Sequence, residues 1–283
     1  MNIKGSTNIV GLIGHPVEHS FSPPMHNAAF RELGMDYAYV AFDVSPQNVG
    51  EAIKGAESLN IKGFNVTIPH KIEVMQYLDE LDEVAELIGA VNTIDFKDLK
   101  GYNTDGIGAV RAIEEVTSIK DKNVVIAGAG GASRAISFYI AKYGANKLTI
   151  LNRNVEKAQK LAGDVLDSNL ISNVEADSIS EISSHLNGAD ILINTTPIGM
   201  YPNVNDEPIA SADDMHEELV VFDAVYNPNE TVLLKEAIKA GAKPVYGIKM
   251  LLYQGAESFR IWTGNDAPVD VMEDALRKTI DLK

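Results

Sequence analysis

Apolar residues in this chain come as short runs of β type, separated by stripes at helical spacing. Over roughly residues 8–104 the runs are "IVGLIG", "YAYVAFDV" and "KGFNVTI". Runs of this length, rich in β-branched and aromatic residues and bounded by turn formers, predict strands. Between them Met25, Ala28, Ala29 and Leu33 recur at helical intervals, as do Val49, Ile53, Ala56 and Leu59. Each set predicts an amphipathic helix. Strand–helix–strand alternation at this spacing predicts right-handed crossovers and a mostly parallel sheet.

A second series starts near Lys122, with "NVVIAGA", "KLTILN", "DILINTT", "LVVFDAVY" and "KPVYG" as strands. Helices are predicted over "GASRAISFYIAKYG" and over "NVEKAQKLAGDVLD", where Val155, Ala158, Leu161, Ala162 and Val165 share one face. "DGIGAVRAIEEV" reads as a helix bridging the two series. Two helices close the chain, "IKMLLYQGAESFRIW" and "PVDVMEDALRKTI", the latter with Val269, Met272, Ala275, Leu276 and Ile280 on one face. The expected domains are residues 1–105, completed by the closing helix at about 266–283, and residues 106–265. Two α/β domains joined by helices imply a deep cleft between them, a common place for small-molecule sites.

Composition narrows the class. The 283 residues are 45% hydrophobic and 23% charged, a globular profile. No apolar run reaches the roughly 20 residues of a membrane helix, and "MNIKGSTNIVG" lacks a signal-peptide core. Cysteine is absent, which excludes disulfides, thiolate metal sites and a cysteine nucleophile. A cytoplasmic enzyme is expected. The net charge of -16 argues against nucleic acid and anionic membranes as partners. An anionic ligand would be opposed by that charge at long range. Local donors would have to prevail, and screening beyond about 8 Å allows it.

The clearest mechanical signal is "VVIAGAGGASRA". A strand runs into Gly128, Ala129, Gly130, Gly131 and Ala132, and a helix follows. Glycines there permit a tight turn and close approach of a pyrophosphate, and the helix start offers free N–H groups. The third fingerprint position is Ser133. A dinucleotide site is the reading, against a purely structural turn. About 20 residues on, an NAD site would present an Asp or Glu to the ribose. Here the strand ends in Asn152, Arg153 and Asn154, with Lys157 one turn later. A guanidinium pairs with a 2′-phosphate, so NADP is expected. The alternative is a solvated basic loop.

Polar residues crowd "GHPVEHSFSPPMHN", residues 14–27, directly after the first strand. Ser20 and Ser22 alternate, so an extended backbone would aim both hydroxyls one way. Ser22 before Pro23 also reads as a helix N-cap. "NVTIPHK" ends a strand with Thr67 and delivers Lys71, "GAVNT" presents Asn92, and "GYNTDG" sets Asp105 at a helix start. Alone, Lys71 reads as a surface lysine and Asp105 as an N-cap. Four of the six histidines, His15, His19, His26 and His70, fall in the first seventy residues. Pro16 breaks the one-turn spacing of the first pair and no carboxylate set completes a site, so no metal is expected.

Together with "INTTPIGM", "DAVYNP" and "YGIKMLLYQGAESF", these segments occur in an order that resembles the shikimate dehydrogenase family from residue 11 to about 260. Members reduce 3-dehydroshikimate to shikimate with NADPH in aromatic amino-acid biosynthesis. The resemblance implies an N-terminal α/β substrate-binding domain and a C-terminal Rossmann-type domain. It implies that Ser20 and Ser22 hold the substrate carboxylate and that Thr67, Asn92 and Gln254 bind ring substituents. Lys71 and Asp105 would be the catalytic pair, and Tyr226 would touch substrate. Ala224 would lie beside the cofactor, with Gly247 and Met250 near the nicotinamide. Lys249 receives no role. The protein is expected as a monomer or homodimer.

A lysine ammonium is protonated at pH 7 and can act directly as the acid in reduction. In oxidation the same group must accept a proton, so oxidation is expected to rise with pH while reduction stays flatter. The rivals are a dual quinate/shikimate dehydrogenase using NAD, a non-catalytic sensor of shikimate-like ligands, and a distant folate-type dehydrogenase. The Asn152–Arg153 turn disfavours the first, Lys71 and Asp105 the second, and the two-serine clamp the third.

Overall fold

The first apolar run forms strand β1 (Asn8–Gly14), and the chain continues through α1 (Ser22–Glu32), β2 (Tyr37–Asp43), α2 (Val49–Ser58) and β3 (Gly63–Val66). The computed structural model describes residues 3–281. It places these elements in one unit, built from the residues up to 104 and those from 252 onward. β1 is parallel to both neighbours, with Val10 opposite Tyr39 on one side and Gly63 on the other. The rest of this sheet departs from the expected parallel order. After β4 (Glu80–Leu81) and α3 (Glu83–Ile88), β5 (Thr93–Asp95) runs antiparallel to β3, and β6 (Lys100–Tyr102) runs antiparallel to β5. The order is β2-β1-β3-β5-β6-β4. The connection from β5 to β6 is too short for a crossover, so only an antiparallel pair can form.

Two predicted stripes end early. Met25, Ala28 and Ala29 are buried, as are Val49, Ile53 and Ala56, but Leu33 and Leu59 are 44% and 76% exposed. Each leucine is the C-cap of its helix. The next residue, Gly34 or Asn60, turns with positive φ, and the stripe loses its phase there.

The division of the chain also differs from expectation. Residues 252–265 belong with the first unit, not the second. The side chains give the reason. Trp262 Nε1 donates to Ile94 O at 2.9 Å, and Phe259 stacks on Phe30 with centroids 5.1 Å apart. Burying each such side chain contributes about 1.5–3 kcal/mol, far more than surface contacts offer. The closing helix, Val269–Asp281, packs on α1 with Met272 and Leu276 buried.

The second unit spans residues 105–251. Its elements are α4 (Asp105–Glu114), β7 (Asn123–Ala127), α5 (Gly131–Lys142), β8 (Lys147–Asn152), α6 (Val155–Asp167), β9 (Val174–Ser178), α7 (Ile182–Leu186), β10 (Ile191–Asn194), β11 (Val220–Asp223), α8 (Val232–Lys239) and β12 (Lys243–Tyr246). The helix α9 (Gly247–Thr263) starts here, and α10 is the closing helix already described. All six strands are parallel, in the order β12-β11-β10-β7-β8-β9. The order reverses between β7 and β10, the position where doubly wound sheets bind ligands beyond their strand ends. Strand β9, "VEADS", is a polar edge strand with no apolar run to announce it.

Candidate active site

In the first unit, the carboxyl end of β3 sets Thr67 and Lys71. Thr67 N–H bonds Ile13 O at 2.9 Å, and Thr67 O accepts His70 N–H at 3.0 Å. The buried His70 ring bonds Val44 O through Nε2 at 2.7 Å. Lys71 O accepts Val91 N–H at 2.8 Å. The backbone of Lys71 is thus pinned from both sides. The residue itself is half-buried.

Asn92 immediately precedes β5 and is buried. Its Oδ1 accepts Thr104 N–H at 2.7 Å and Thr104 Oγ1–H at 3.2 Å. That carbonyl is therefore committed within the unit. Thr104 is followed directly by Asp105, the first residue of α4. Asp105 is thus inside the helix start and is not its N-cap. Gln254 is buried on α9.

The two serines are placed differently from the sequence expectation. Ser20 N–H bonds Val17 O at 3.0 Å and closes a turn, so the segment is not extended. Phe21 is the N-cap of α1, in the helical region, and Ser22 is the first helical residue. The side chain that serves the helix start is Ser20, whose Oγ accepts Ser22 N–H at 3.2 Å. Ser22 is buried and reaches the phenol of Tyr39. Both hydroxyls remain at the same helix N-terminus, where donors and the helix dipole favour an anion.

The second unit builds the glycine turn. Gly128 has φ +113°, and a Cβ there would sit 2.3 Å from Thr195 Oγ1. Thr195 Oγ1 in turn donates to Ala127 O at 2.7 Å. Ser133 Oγ donates to Gly128 O at 2.7 Å, which explains a serine at the third fingerprint position. A Cβ on Gly130 or Gly131 would meet nothing within 4 Å. Protein packing therefore does not demand glycine at either position, whereas an approaching pyrophosphate would. The N-cap of α5 is Gly130, which has no side chain to cap the helix.

Beside this turn, Ala129, Gly130, Asn152, Arg153, Asn154 and Lys157 line a pocket of about 490 Å³. Asn154 caps α6, its Oδ1 accepting Lys157 N–H at 3.1 Å. Asn152 Nδ2 braces the turn by donating to Asn154 O at 2.9 Å. Arg153 is exposed, as is Lys157, and neither forms an ion pair among the described residues. Two uncompensated cations stand out in a chain of net charge -16. These donors fit a nucleotide bearing a 2′-phosphate.

Beyond β11, Ala224 N–H bonds Asn194 O at 2.9 Å. Gly247 lies under this loop, since a Cβ there would be 2.6 Å from Val225 O and 2.7 Å from Asp223 O. Tyr226 is 37% exposed, and burial of the phenol raises its pKa. Met250 is half-buried on α9. The loop is held by a residue the sequence reading missed. Buried Asp223 accepts Asn194 Nδ2–H (2.9 Å), Val225 N–H (3.0 Å) and Thr231 Oγ1–H (2.7 Å). Burial pushes its carboxyl up to about 6.

A second missed set lies under Asn92. Asn65 is a polar residue in the fully buried strand β3. Its Oδ1 accepts Tyr39 O–H at 2.8 Å, and its Nδ2 reaches Ser258 Oγ at 2.9 Å and Thr93 Oγ1 at 3.1 Å. A polar side chain in an apolar strand was the available signal. The histidines have local partners: His15 pairs with Asp43 at 2.6 Å, and His26 stacks on Tyr39 with centroids 4.4 Å apart. Burial pushes His26 down to about 3, so it packs as a neutral ring. Among the described residues no cluster of His, Cys, Asp or Glu could hold a metal, and no helix is long and apolar enough to cross a membrane.

Comparison with known proteins agrees along the chain. A family profile for the shikimate dehydrogenase substrate binding domain matches residues 12–94. A shikimate/quinate 5-dehydrogenase profile matches 111–231, and a shikimate 5-dehydrogenase C-terminal domain profile matches 247–277. The shikimate dehydrogenase (NADP(+)) of Methanobrevibacter smithii is 72% identical over 280 residues, covering 99% of this chain and 100% of the relative. A crystal structure of a shikimate dehydrogenase in complex with NADP+ superposes with a TM-score of 0.92 at 53% identity, over 99% of this chain and 98% of that one. The Listeria monocytogenes shikimate 5-dehydrogenase, solved with shikimate and NAD, gives 0.93 at 37% identity, over 98% of each chain. With such identity running from end to end, the chain belongs to the NADP-dependent shikimate dehydrogenase family.

Proposed function

We propose that this chain interconverts 3-dehydroshikimate and shikimate with Lys71 as the proton-transferring group and Asp105 as its partner. Ser20 and Ser22 hold the substrate carboxylate, Thr67, Asn92 and Gln254 hold the ring substituents, and Tyr226 contacts the substrate. The observation that carries the reading is the framing of Lys71. His70 N–H bonds Thr67 O, and Lys71 O accepts the N–H of Val91, the residue before Asn92, so one frame presents an ammonium and several neutral donors. Two hydroxyls at a helix start suit a carboxylate without adding full charge. NADPH supplies the hydride. Gly128 to Ala132 cradle its pyrophosphate, Asn152 to Asn154 and Lys157 take the 2′-phosphate end, and Ala224, Gly247 and Met250 flank the nicotinamide.

In reduction, charge develops on the substrate oxygen, and Lys71 delivers the proton there. In oxidation Lys71 accepts the proton. Oxidation is expected to climb between neutral and alkaline pH while reduction changes little. A flat oxidation profile, under conditions where chemistry limits the rate, contradicts this role. The reading is of a cytoplasmic enzyme. Its specificity is tested by initial rates with shikimate or quinate, each with NADP or NAD. Shikimate with NADP should dominate. Comparable rates with quinate and NAD would make it a dual-substrate dehydrogenase.

A further inference from the structure

Beneath Asn92 and Gln254 a hydroxyl joins segments far apart in sequence. Ser258 lies one turn after Gln254 on α9 and is fully buried. Its Oγ–H donates to Gln254 O at 3.0 Å, which leaves both lone pairs to accept. Asn65 Nδ2–H supplies one donor at 2.9 Å, and Thr93 Oγ1, at 2.8 Å, supplies the other. The second Asn65 Nδ2 hydrogen reaches Thr93 Oγ1 at 3.1 Å, and Tyr39 O–H fixes the amide by donating to Asn65 Oδ1. Burial raises the Tyr39 pKa, so the phenol keeps its proton and remains a donor. Thr104 Oγ1–H then serves Asn92 Oδ1. Every hydroxyl proton has one acceptor in this arrangement.

We propose that Ser258 is a positioning residue for substrate recognition: its hydroxyl fixes the Gln254 turn of α9 against the Asn65–Thr93 pair that holds Asn92. The proposal rests on the reading of Asn92 and Gln254 as substrate ligands. Removing the hydroxyl pushes one Asn65 Nδ2–H off its 2.9 Å partner and onto the longer contact with Asn92 O at 3.3 Å. It also leaves Asn92 Oδ1, already 3.1 Å from Thr93 Oγ1, as the acceptor for the Thr93 hydroxyl proton, on a carbonyl that accepts from Thr104 as well. Both ligands of the ring would shift, while the nucleotide turn of the other unit would not.

The test is Ser258→Ala in the full-length enzyme, with KM for shikimate, KM for NADP, kcat and Tm measured together. The expected result is a rise of about tenfold in the shikimate KM, with the NADP KM unchanged. Thr93→Val approaches the same hub from the strand side with its shape kept, and should raise the shikimate KM in the same way. In a Gln254→Ala background, Ser258→Ala should still raise the shikimate KM through Asn92, but by less than in wild type. An unchanged shikimate KM in Ser258→Ala, or equal rises for both ligands, overturns the proposal. If Gln254→Ala raises the shikimate KM and neither Ser258→Ala nor Thr93→Val does, the positioning role alone falls. If Gln254→Ala itself leaves that KM unchanged, the underlying ligand assignment falls and takes the proposal with it.

Discussion

Asp223 shows how a single carboxylate can be held for geometry at the expense of its charge. It is buried at the end of β11, and three donors from Asn194, Val225 and Thr231 close around it. Its folded pKa of about 6 lies above the ordinary 3.8 because burial outweighs those bonds. Below the lower value both folded and unfolded chains hold the proton. Between the two values only the folded chain holds it. Above about 6 neither does, so the stabilisation is present at acid pH and is lost as pH rises through about 6. The gap corresponds to about 3 kcal/mol. Asp223→Asn keeps an oxygen for Asn194 and Val225 and carries no charge. It should therefore match wild type in Tm near pH 4 and exceed it at pH 7.5. A lower Tm at pH 7.5 would show that the donors require the ionised form. In the sequence Asp223 is only the acid of "DAVYNP"; its donors lie up to 29 positions away, so its burial could not be read there.

At the scale of elements, the long parallel strands and amphipathic helices were legible because their apolar residues repeat in phase with the structure. α6 is an example, with Ala158, Leu161, Ala162 and Val165 buried as the stripe predicts. Strands β4, β5 and β6 were not, because each has only two or three residues and forms by pairing with a neighbour. The serine segment was misread for a related reason. Alternation implies one face only if the backbone is extended, and the Val17–Ser20 turn coils it. The Asn65–Ser258 bond spans 193 positions, beyond any local pattern. The glycine turn was legible as a turn, because the strand before it, the helix after it and the glycines between are adjacent in sequence, while the contact of Gly128 with Thr195 was not. Its two halves make separable predictions. Gly128→Ala forces a Cβ onto Thr195 at φ +113°, so Tm should fall. Gly130→Ala meets no protein atom, so Tm should hold while NADP affinity drops at least tenfold, as read by titration of the cofactor. Equal NADP affinity in Gly130→Ala would show that the ligand does not approach that backbone.

For the molecule as a whole, the net charge of -16 sets an anionic cofactor against the general field. Beyond about 8 Å that field is screened at physiological salt, and on the proposed reading Arg153 and Lys157 would act inside that range. Arg153→Ala should raise the NADP KM about ten- to a hundredfold and leave the NAD KM nearly unchanged. The penalty should shrink as salt is added. An equal effect on both cofactors would mean that Arg153 stacks on a shared part of the nucleotide and does not read the phosphate.

The most direct measurement is the initial rate of shikimate oxidation with NADP by wild type and by Lys71→Ala, with NADP binding followed in both. The prediction is turnover in wild type, a loss of at least a hundredfold in Lys71→Ala, and equal NADP affinity in the two. Retained turnover in Lys71→Ala would contradict the assignment of the proton to Lys71.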